Sequence, residues 1–238
     1  AAAHAPHVAM RYGVAGRLLE LQLPADEPSL VVLADFGTAD GGTSMPLLSQ
    51  AIGAVRERLG PVEVEVRYED QPFNEWKSLF NYTQGTERLP DVTPLGEAHE
   101  NVFITASGTS FYQQCFPSDS VHVGMSFTAM HWLSELPCDL TSPLAVHSTQ
   151  AEPEQKALFV AQSQTDWRSI LKQRAEELVP GGRFVFVNFS ETEEGYCLGG
   201  TDVGASMYDN FARLMRELVD DGTITEAEFA ACTFPNHY

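Results

Sequence analysis

The sequence has few basic residues. Its 238 residues include 14 Lys and Arg against 33 Asp and Glu, which gives a formal net charge of -19 at pH 7. A surface with this charge repels the phosphates of nucleic acids and the headgroups of anionic membranes. We therefore expect that neither a nucleic acid nor a membrane is a partner of this protein.

Cysteines and long apolar runs are also scarce. The 4 cysteines (Cys115, Cys138, Cys197 and Cys232) have no Cys-x-x-Cys spacing, which favours reduced, mostly buried thiols over disulfides or a metal site. No apolar run approaches the length of a membrane span, and no signal peptide is recognisable. The cytoplasm is therefore the expected location. The 43% hydrophobic content is ordinary for a globular protein, and the length allows one large α/β domain.

One stretch, from Ser29 to Thr43, organises the sequence. Its apolar run from Leu30 to Ala34 predicts a strand that is covered on both faces, as in a parallel sheet. Asp35 follows at the carboxyl end of that strand, and three glycines then permit a tight turn into a helix with Pro46 in its first turn. Ligands bind at this edge of an open α/β sheet, so the stretch favours a nucleotide or nucleoside site over an ordinary connection.

The composition of this loop narrows the class of ligand. Nucleoside triphosphate loops need Gly-Lys-Ser/Thr, and the stretch contains no lysine. Its glycines (Gly37, Gly41 and Gly42) match the dinucleotide fingerprint poorly, which leaves a dehydrogenase as a distant alternative. Asp35 and Asp40 would repel phosphate. They suit a positively charged ligand such as S-adenosylmethionine (SAM), which carries a sulfonium and an amine.

Hydrophobic periodicity predicts the remaining elements. Helices are expected over 13–23, 43–59, 73–82, 156–178, 204–220 and 225–231, and further strands over 62–68, 102–104, 120–125 and 183–189. In the helix over 156–178 the expected inward-facing side chains are Trp167, Ile170, Leu171, Ala175 and Leu178.

Further candidate side chains lie where strands are expected to end. Asp70 follows the second strand, where an acid accepts hydrogen bonds from a ribose diol, although a solvated turn is the alternative. Phe111 suits stacking on a flat base or simple core packing. His131 and Trp132 follow the fourth strand and suit hydrogen bonding to a carboxylate in an apolar pocket, with structural packing as the alternative.

Taken together, these motifs resemble a known family. The segments DFGTADGGTS (35–44), EDQPFNEWKSLF (69–80), SFYQQCFPSDSVHVGMSFTAMHWLSELP (110–137), LVPGGRFVFVNF (178–189) and DDGTITEAEFAACTFPNHY (220–238) follow one another as the signature segments of the SABATH carboxyl methyltransferases do. This group acts on salicylate, benzoate and jasmonate. The segment over 110–137 is the most specific of the matches.

The resemblance implies a single Rossmann-like methyltransferase domain over 1–238, with a doubly wound, mainly parallel sheet. The domain is expected to be incomplete at both ends, and residues from about 190 onward are expected to begin a helical cap. The implied activity is methyl transfer from SAM to the carboxylate of a small, largely apolar acid, giving a methyl ester. Methylation of a purine-like ring nitrogen and a catalytically inactive SAM-binding module stay open. Family members are often dimers, so a homodimer is expected by analogy.

The resemblance also implies roles for individual residues. The expected cofactor-binding residues are Asp35, Gly37, Asp70, Ser110, Phe111, Ser126 and Phe127. His131 and Trp132 are expected to line the acceptor pocket, with Trp132 donating to the carboxylate. No general base or metal ligand is assigned, because a carboxylic acid with a pKa of about 4 is already ionised near neutral pH.

Two of the departures of this sequence from the family pattern concern the acceptor pocket. Thr128 stands where many members have a Tyr against the substrate. The N-terminal Tyr-x-x-Asn-Ser-x-x-Gln motif of the family is not recognisable in residues 1–22.

Overall fold

The computed structural model describes residues 28–142, 145–194, 196–199 and 205–236. The helix expected over 13–23 and the motif sought in 1–22 lie outside these residues. The strands are β1 (Leu30–Phe36), β2 (Glu63–Glu69), β3 (Val102–Ser107), β4 (Val121–Phe127) and β5 (Leu178–Val187). The helices are α1 (Met45–Leu59), α2 (Trp76–Gln84), α3 (Leu95–Ala98), α4 (Pro153–Glu177), α5 (Met207–Asp220) and α6 (Glu226–Ala230).

The strands form one five-stranded sheet in the order β3-β2-β1-β4-β5. Every neighbouring pair is parallel. The strand order reverses at β1, which lies between β2 and β4 and is buried from Val31 to Phe36. The sheet confirms the doubly wound α/β architecture expected from the sequence, and cover on both faces explains the unbroken apolar run of β1.

Helix α1 connects β1 to β2 and covers the sheet. Pro46 lies in its first turn, where the missing backbone N–H costs no hydrogen bond. Its apolar side chains at helical spacing are Leu47, Leu48, Ile52, Val55 and Leu59, of which the first four are buried and Leu59 is half-buried. These side chains pack in one core with β1 and β2. Periodicity therefore predicted α1 correctly, since one face of a helix was to be buried against apolar strands.

Helix α2 starts later than the sequence predicted. It begins at Trp76, because the Glu75 side chain caps it by accepting a hydrogen bond from the backbone N–H of Ser78 at 2.8 Å. Phe73 lies before the helix and is 86% exposed, whereas Leu79 is fully buried. The expectation that Phe73 begins this helix was wrong.

The junction between α4 and β5 also differs from the prediction. α4 ends at Glu177 and β5 begins at the next residue, Leu178, so the segment 180–182 lies within the strand. The pairing of β5 with β4 has a register irregularity between Val121 and Val123. The Pro-Gly-Gly sequence therefore marks an irregular strand start and not a break between two elements.

The inward face of α4 is mainly charged. Its buried residues in the second half of the helix are Asp166, Ile170, Arg174 and Glu177, which recur at the spacing of one helical face. Leu171 is 42% exposed. Of the apolar stripe predicted for this helix, Ile170 is buried as expected, whereas Leu171 and Ala175 are exposed, so the prediction was only partly correct.

The chain divides into two compact units. The first extends to Met130 and includes Ser169–Val187, and it contains the sheet. The second comprises His131–Arg168 and the residues from Asn188 onward, with its own apolar clusters, one of them around Tyr208 and Phe229. In the described part of the chain, no helix has the length and apolar character needed to cross a membrane.

We predict that Gly37→Ala destabilises the first unit. Gly37 has a φ of 73°, and a Cβ placed there would lie 2.0 Å from Cβ of Ala129. A left-handed conformation and a steric clash together should lower the free energy of unfolding by at least ~2 kcal/mol, measured by denaturant titration.

Gly53→Ala is the matched control for this prediction. Gly53 lies inside α1 with nothing within 4 Å of an added Cβ. The change should stabilise the protein by about 0.5–1 kcal/mol through helix propensity. Equal effects of the two substitutions would contradict the close approach at Gly37.

Candidate functional site

The carboxyl ends of the parallel strands bring several polar residues to one edge of the sheet. The register pairs Phe36 of β1 with Glu69 of β2 on one side and with Ser126 of β4 on the other. Asp35 precedes Phe36 and Gly37 follows it. This edge, at the point where the strand order reverses, is where open α/β sheets bind their ligands.

Hydrogen bonds connect the glycine loop after β1 to the acidic residues at the end of β2. The backbone N–H groups of Gly37 and Thr38 donate to the carbonyl oxygen of Glu69 at 2.9 and 3.1 Å. The Gly37 N–H also lies 3.2 Å from Oε2 of Glu69. The next N–H, that of Ala39, donates to Oδ2 of Asp70 at 2.7 Å. Successive amides of the loop therefore point at β2, and these contacts define the shape of the loop.

A group of buried polar atoms at this edge lacks protein partners. Among the described residues, no hydrogen bond reaches Asp35 Oδ2, Thr38 Oγ1, Tyr68 OH, Glu69 Oε1 or Ser126 Oγ. Buried polar groups in folded proteins are nearly always paired, so a group of unpaired ones calls for an explanation. Carboxylate and hydroxyl oxygens together suit a ligand that carries positive charge and hydroxyl groups.

Burial changes the ionisation of the two acids at the centre of this edge. Asp35 is 3% exposed and Glu69 is fully buried. Burial raises the pKa of Asp35 to about 6. It raises the pKa of Glu69 to about 8, and the nearby charge of Asp70 adds to that rise. Both acids therefore lose part of their charge near neutral pH until a cation or a hydrogen-bond donor stabilises the ionised form.

Asp70 lies at the same edge, on the side of β3. Its backbone N–H donates to the carbonyl of Ser107, the last residue of β3, at 3.2 Å. Its Oδ1 accepts from the backbone N–H of Gln71 at 2.7 Å and its Oδ2 from Ala39. Each carboxylate oxygen thus holds one backbone amide and keeps a further lone pair for a ligand hydroxyl.

The other expected cofactor residues follow β3 and end β4. Ser110 is half-buried, whereas Phe111 is 7% exposed and packs on the ring of Tyr112 with centroids 4.8 Å apart. Ser126 is fully buried in β4, and the partly buried Phe127 packs against the core of the sheet. The structure brings all of the expected cofactor residues to the carboxyl edge of the first unit, and their roles stay predictions.

The expected acceptor residues belong to the second unit. His131 is 4% exposed, and burial lowers its pKa to about 4, so its imidazole is neutral at pH 7. Its ring stacks on Trp132 at 5.4 Å and meets the edge of Phe189 at 5.0 Å. The indole of Trp132 is 42% exposed. The pair thus combines a neutral buried ring with a half-exposed indole, and its role also stays a prediction.

The backbone after Trp132 is held by side chains of α4. Asp166 accepts hydrogen bonds from the backbone N–H and the hydroxyl of Ser134 at 2.8 and 2.6 Å, and Gln162 donates to both residues. The N–H of Leu133 donates to the carbonyl of Pro235 at 2.6 Å. The segment that carries the indole is therefore anchored directly after it.

Sequence reasoning missed Tyr68, Glu69 and Asp166 as residues of these sites. Glu69 was visible in the sequence only as one member of an acidic pair after a strand. Its burial follows from its place in the last position of β2, beside β1, which needs the sheet order. Nothing in the sequence signals the pairing of Asp166 with Ser134, which are 32 positions apart.

The strand order and its reversal at β1 define a doubly wound α/β domain, and comparison with a solved structure agrees with that fold. A solved structure described as "Loganic acid methyltransferase with SAH" superposes with a TM-score of 0.76 at 22% identity. The match covers 97% of this chain and 67% of that one. At this identity the similarity shows the fold alone.

The chain belongs to the SAM-dependent carboxyl methyltransferase family, whose sequence profile matches residues 9–238. This match confirms the resemblance seen in the sequence motifs. Similar relatives include anthranilate O-methyltransferase 2 of Zea mays, 26% identical over 87% of this chain and 58% of that protein. Jasmonate O-methyltransferase of Arabidopsis thaliana is 26% identical over 92% of this chain and 61% of its own length. The chain thus spans about three fifths of the length of these curated relatives.

We predict that the ionisation of Glu69 lowers the free energy of unfolding as pH rises. Its pKa is near 8 in the folded protein against an ordinary 4.5, so between these values the folded state binds a proton that the unfolded state lacks. Its stabilising contribution is complete below pH 4.5 and is lost as pH rises to 8. Glu69→Gln should remove this dependence. The free energy of unfolding of the variant, relative to the parent, should rise by roughly 4 kcal/mol from pH 4.5 to 8.

Glu63→Gln, an exposed change at the start of the same strand, is the control and should leave the pH profile unchanged. Denaturant titrations at several pH values measure both variants. A difference between Glu69→Gln and the parent that is constant with pH would contradict the raised pKa.

Proposed function

We propose that this protein transfers a methyl group from the sulfur of SAM to the carboxylate of a small, largely apolar carboxylic acid, giving a methyl ester and S-adenosylhomocysteine. The observation that carries the proposal is the set of unpaired buried oxygens at the carboxyl edge of β1, β2 and β4. Such a set suits a cationic ligand with hydroxyl groups, and SAM combines a sulfonium, an amine and a ribose diol. Membership of the carboxyl methyltransferase family supports the same reaction.

The proposed cofactor site uses the residues at the edge of the sheet. Asp35 and Gly37 belong to the loop that binds the cofactor, and Asp70 accepts hydrogen bonds from the ribose hydroxyls of SAM. Ser110 and Phe111 contact the adenine, with Ser126 and Phe127 beside the cofactor. The buried carboxyls attract a cation more strongly than exposed ones would, because a low dielectric strengthens the interaction. When bound, SAM supplies an electrophilic methyl group on sulfur.

The acceptor needs no general base. A carboxylic acid is ionised at neutral pH, so the protein has only to orient one oxygen toward the methyl carbon and exclude water. Trp132 donates its indole N–H to the acceptor carboxylate in this proposal. The neutral His131 supports the indole face without adding a charge that would quench the nucleophile.

Several expectations belong to the same proposal. The domain spans 1–238, and the residues from about 190, which include α5 and α6, begin a helical cap. The protein works in the cytoplasm and forms a homodimer. Its acceptor is a small molecule, with no nucleic acid and no membrane as a partner.

A labelled-methyl assay tests this function. The protein is incubated with methyl-labelled SAM and a panel of aromatic, fatty and terpenoid acids, with xanthine-type compounds as nitrogen acceptors. Base-labile product from an acid supports the proposal. Product from the nitrogen acceptors alone would favour N-methylation. SAM binding by calorimetry without any product would indicate an inactive binding module.

We predict that Asp35→Asn weakens SAM binding while stabilising the fold. The substitution removes a buried carboxyl group with an unpaired oxygen, so the melting temperature should rise. Loss of its attraction for a cation should raise the Kd for SAM about tenfold or more. Glu57→Gln changes an exposed acid near the end of α1, outside the loop, and should alter neither quantity. Unchanged SAM affinity in Asp35→Asn would remove Asp35 from the site.

We predict that Trp132→Phe raises the KM for the acceptor and leaves that for SAM nearly unchanged. The change keeps a ring but deletes the N–H, and a hydrogen bond to a carboxylate contributes about 10-fold to 100-fold in affinity. Trp167→Phe removes an indole N–H from α4 in the same unit and serves as the control. Initial-rate kinetics with each substrate varied in turn measure both constants. An equal rise in the two KM values would contradict the assigned role.

A further inference from the structure

The last turn of α4 carries a buried ion pair. The side chains of Arg174 and Glu177 are 2% and 1% exposed. Two nitrogens of the guanidinium, Nε and Nη2, donate to the two carboxylate oxygens, each at 2.7 Å. Burying two charges costs desolvation energy that their mutual attraction only partly offsets, so such a pair needs a reason beyond stability.

The side chains of Arg174 and Glu177 make further hydrogen bonds with the backbone of one segment, residues 111–116. Arg174 donates from Nη1 to the carbonyl of Phe111 at 2.7 Å and from Nη2 to that of Gln113 at 2.8 Å. Oε1 of Glu177 accepts from the N–H groups of Cys115 and Phe116 at 2.5 and 3.1 Å. The segment 111–116 belongs to no helix or strand, so it lacks the regular backbone hydrogen bonds of those elements. The side chains of Arg174 and Glu177 supply hydrogen bonds in their place and define the shape of the segment.

The same pair also contacts the end of β1. The guanidinium carbon of Arg174 lies 4.4 Å from the ring centroid of Phe36, the residue between Asp35 and Gly37. The Phe36 ring meets the edge of Phe116 with centroids 5.4 Å apart. Arg174 therefore lies between the segment 111–116 and Phe36, the last residue of the central strand. The attraction between its cationic guanidinium and the face of the Phe36 ring stabilises this arrangement.

We propose that Arg174 and Glu177 are positioning residues of the cofactor site, which hold the segment after Ser110 in register with the loop after β1. This inference rests on the proposed function, in which those two segments bind the adenine and the rest of SAM. Neither residue is assigned a contact with the cofactor. Their effect on binding comes through the backbone that they fix.

The contacts made by residue 174 require the planar geometry of a guanidinium and not only a positive charge. Arg174 satisfies two carbonyls and a bidentate carboxylate through a planar fork of nitrogens. A lysine ammonium is a compact charge that cannot span these positions. Arg174→Lys therefore keeps the ion pair with Glu177 and releases the segment, which makes it the informative variant.

Calorimetric titration with S-adenosylhomocysteine tests the proposal. Arg174→Lys should raise the Kd by about 10-fold to 100-fold, the loss of one or two charge-assisted hydrogen bonds, with the stoichiometry unchanged. A purely structural role would reduce the folded fraction, which lowers the stoichiometry and leaves the Kd unchanged. Arg88→Lys, at an exposed ion pair with Glu97, is the control and should match the parent.

A Kd for Arg174→Lys within about twofold of the parent value, less than the loss of one hydrogen bond, would overturn the proposal. If that variant does not fold, hydrogen exchange on the unaltered protein decides. Saturation with S-adenosylhomocysteine should slow exchange of the amides of Cys115 and Phe116, and no change there would overturn the proposal. Failure of the unaltered protein to bind S-adenosylhomocysteine would instead remove the proposed function itself.

Discussion

The parallel pairing of β1 with both of its neighbours is the constraint on which the site depends. Because all three strands run the same way, their carboxyl ends share one edge, and neighbouring strands lie only about 4.8 Å apart. The register sets Phe36 opposite Glu69 and Ser126. A slip of one residue would turn Asp35 to the other face of the sheet and move its carboxylate away from the acidic end of β2.

The burial of acids at this edge has a cost in free energy. Asp35 and Glu69 are buried close to Asp70, and their raised pKa values express the free energy needed to keep charges away from water and next to one another. An unpaired carboxylate oxygen on each adds to this cost. A protein selected only for stability would replace such groups with neutral ones, so their arrangement supports the proposed binding of a cationic ligand at this edge.

How much the sequence predicted depended on what each segment buries. β1 and α1 were predicted well because apolar residues recur on the faces that contact the core. The inward face of α4 was predicted only in part. Ile170 is buried as expected, but the other side chains buried in that half of the helix are Asp166, Arg174 and Glu177, and hydrophobic periodicity does not detect charged residues on a buried face. The partners of these side chains are distant along the chain, 62 positions for Glu177 with Cys115 and 63 for Arg174 with Phe111. Candidate residues at strand ends were visible, but their burial and pairing required the sheet order.

A charged face on α4 has a physical reason that an apolar one would not meet. Segments without helix or strand expose N–H and C=O groups that must find partners when they are buried. Apolar side chains could cover such a segment but could not pair those groups. Asp166 accepts from the backbone and hydroxyl of Ser134 in one unit, and Glu177 accepts from successive amides of the segment 111–116 in the other. The face of α4 thus supplies acceptors, and through Arg174 donors, where loop backbone needs them. This helix lacks a regular apolar stripe because its buried face binds loop backbone and does not form a second layer of apolar packing.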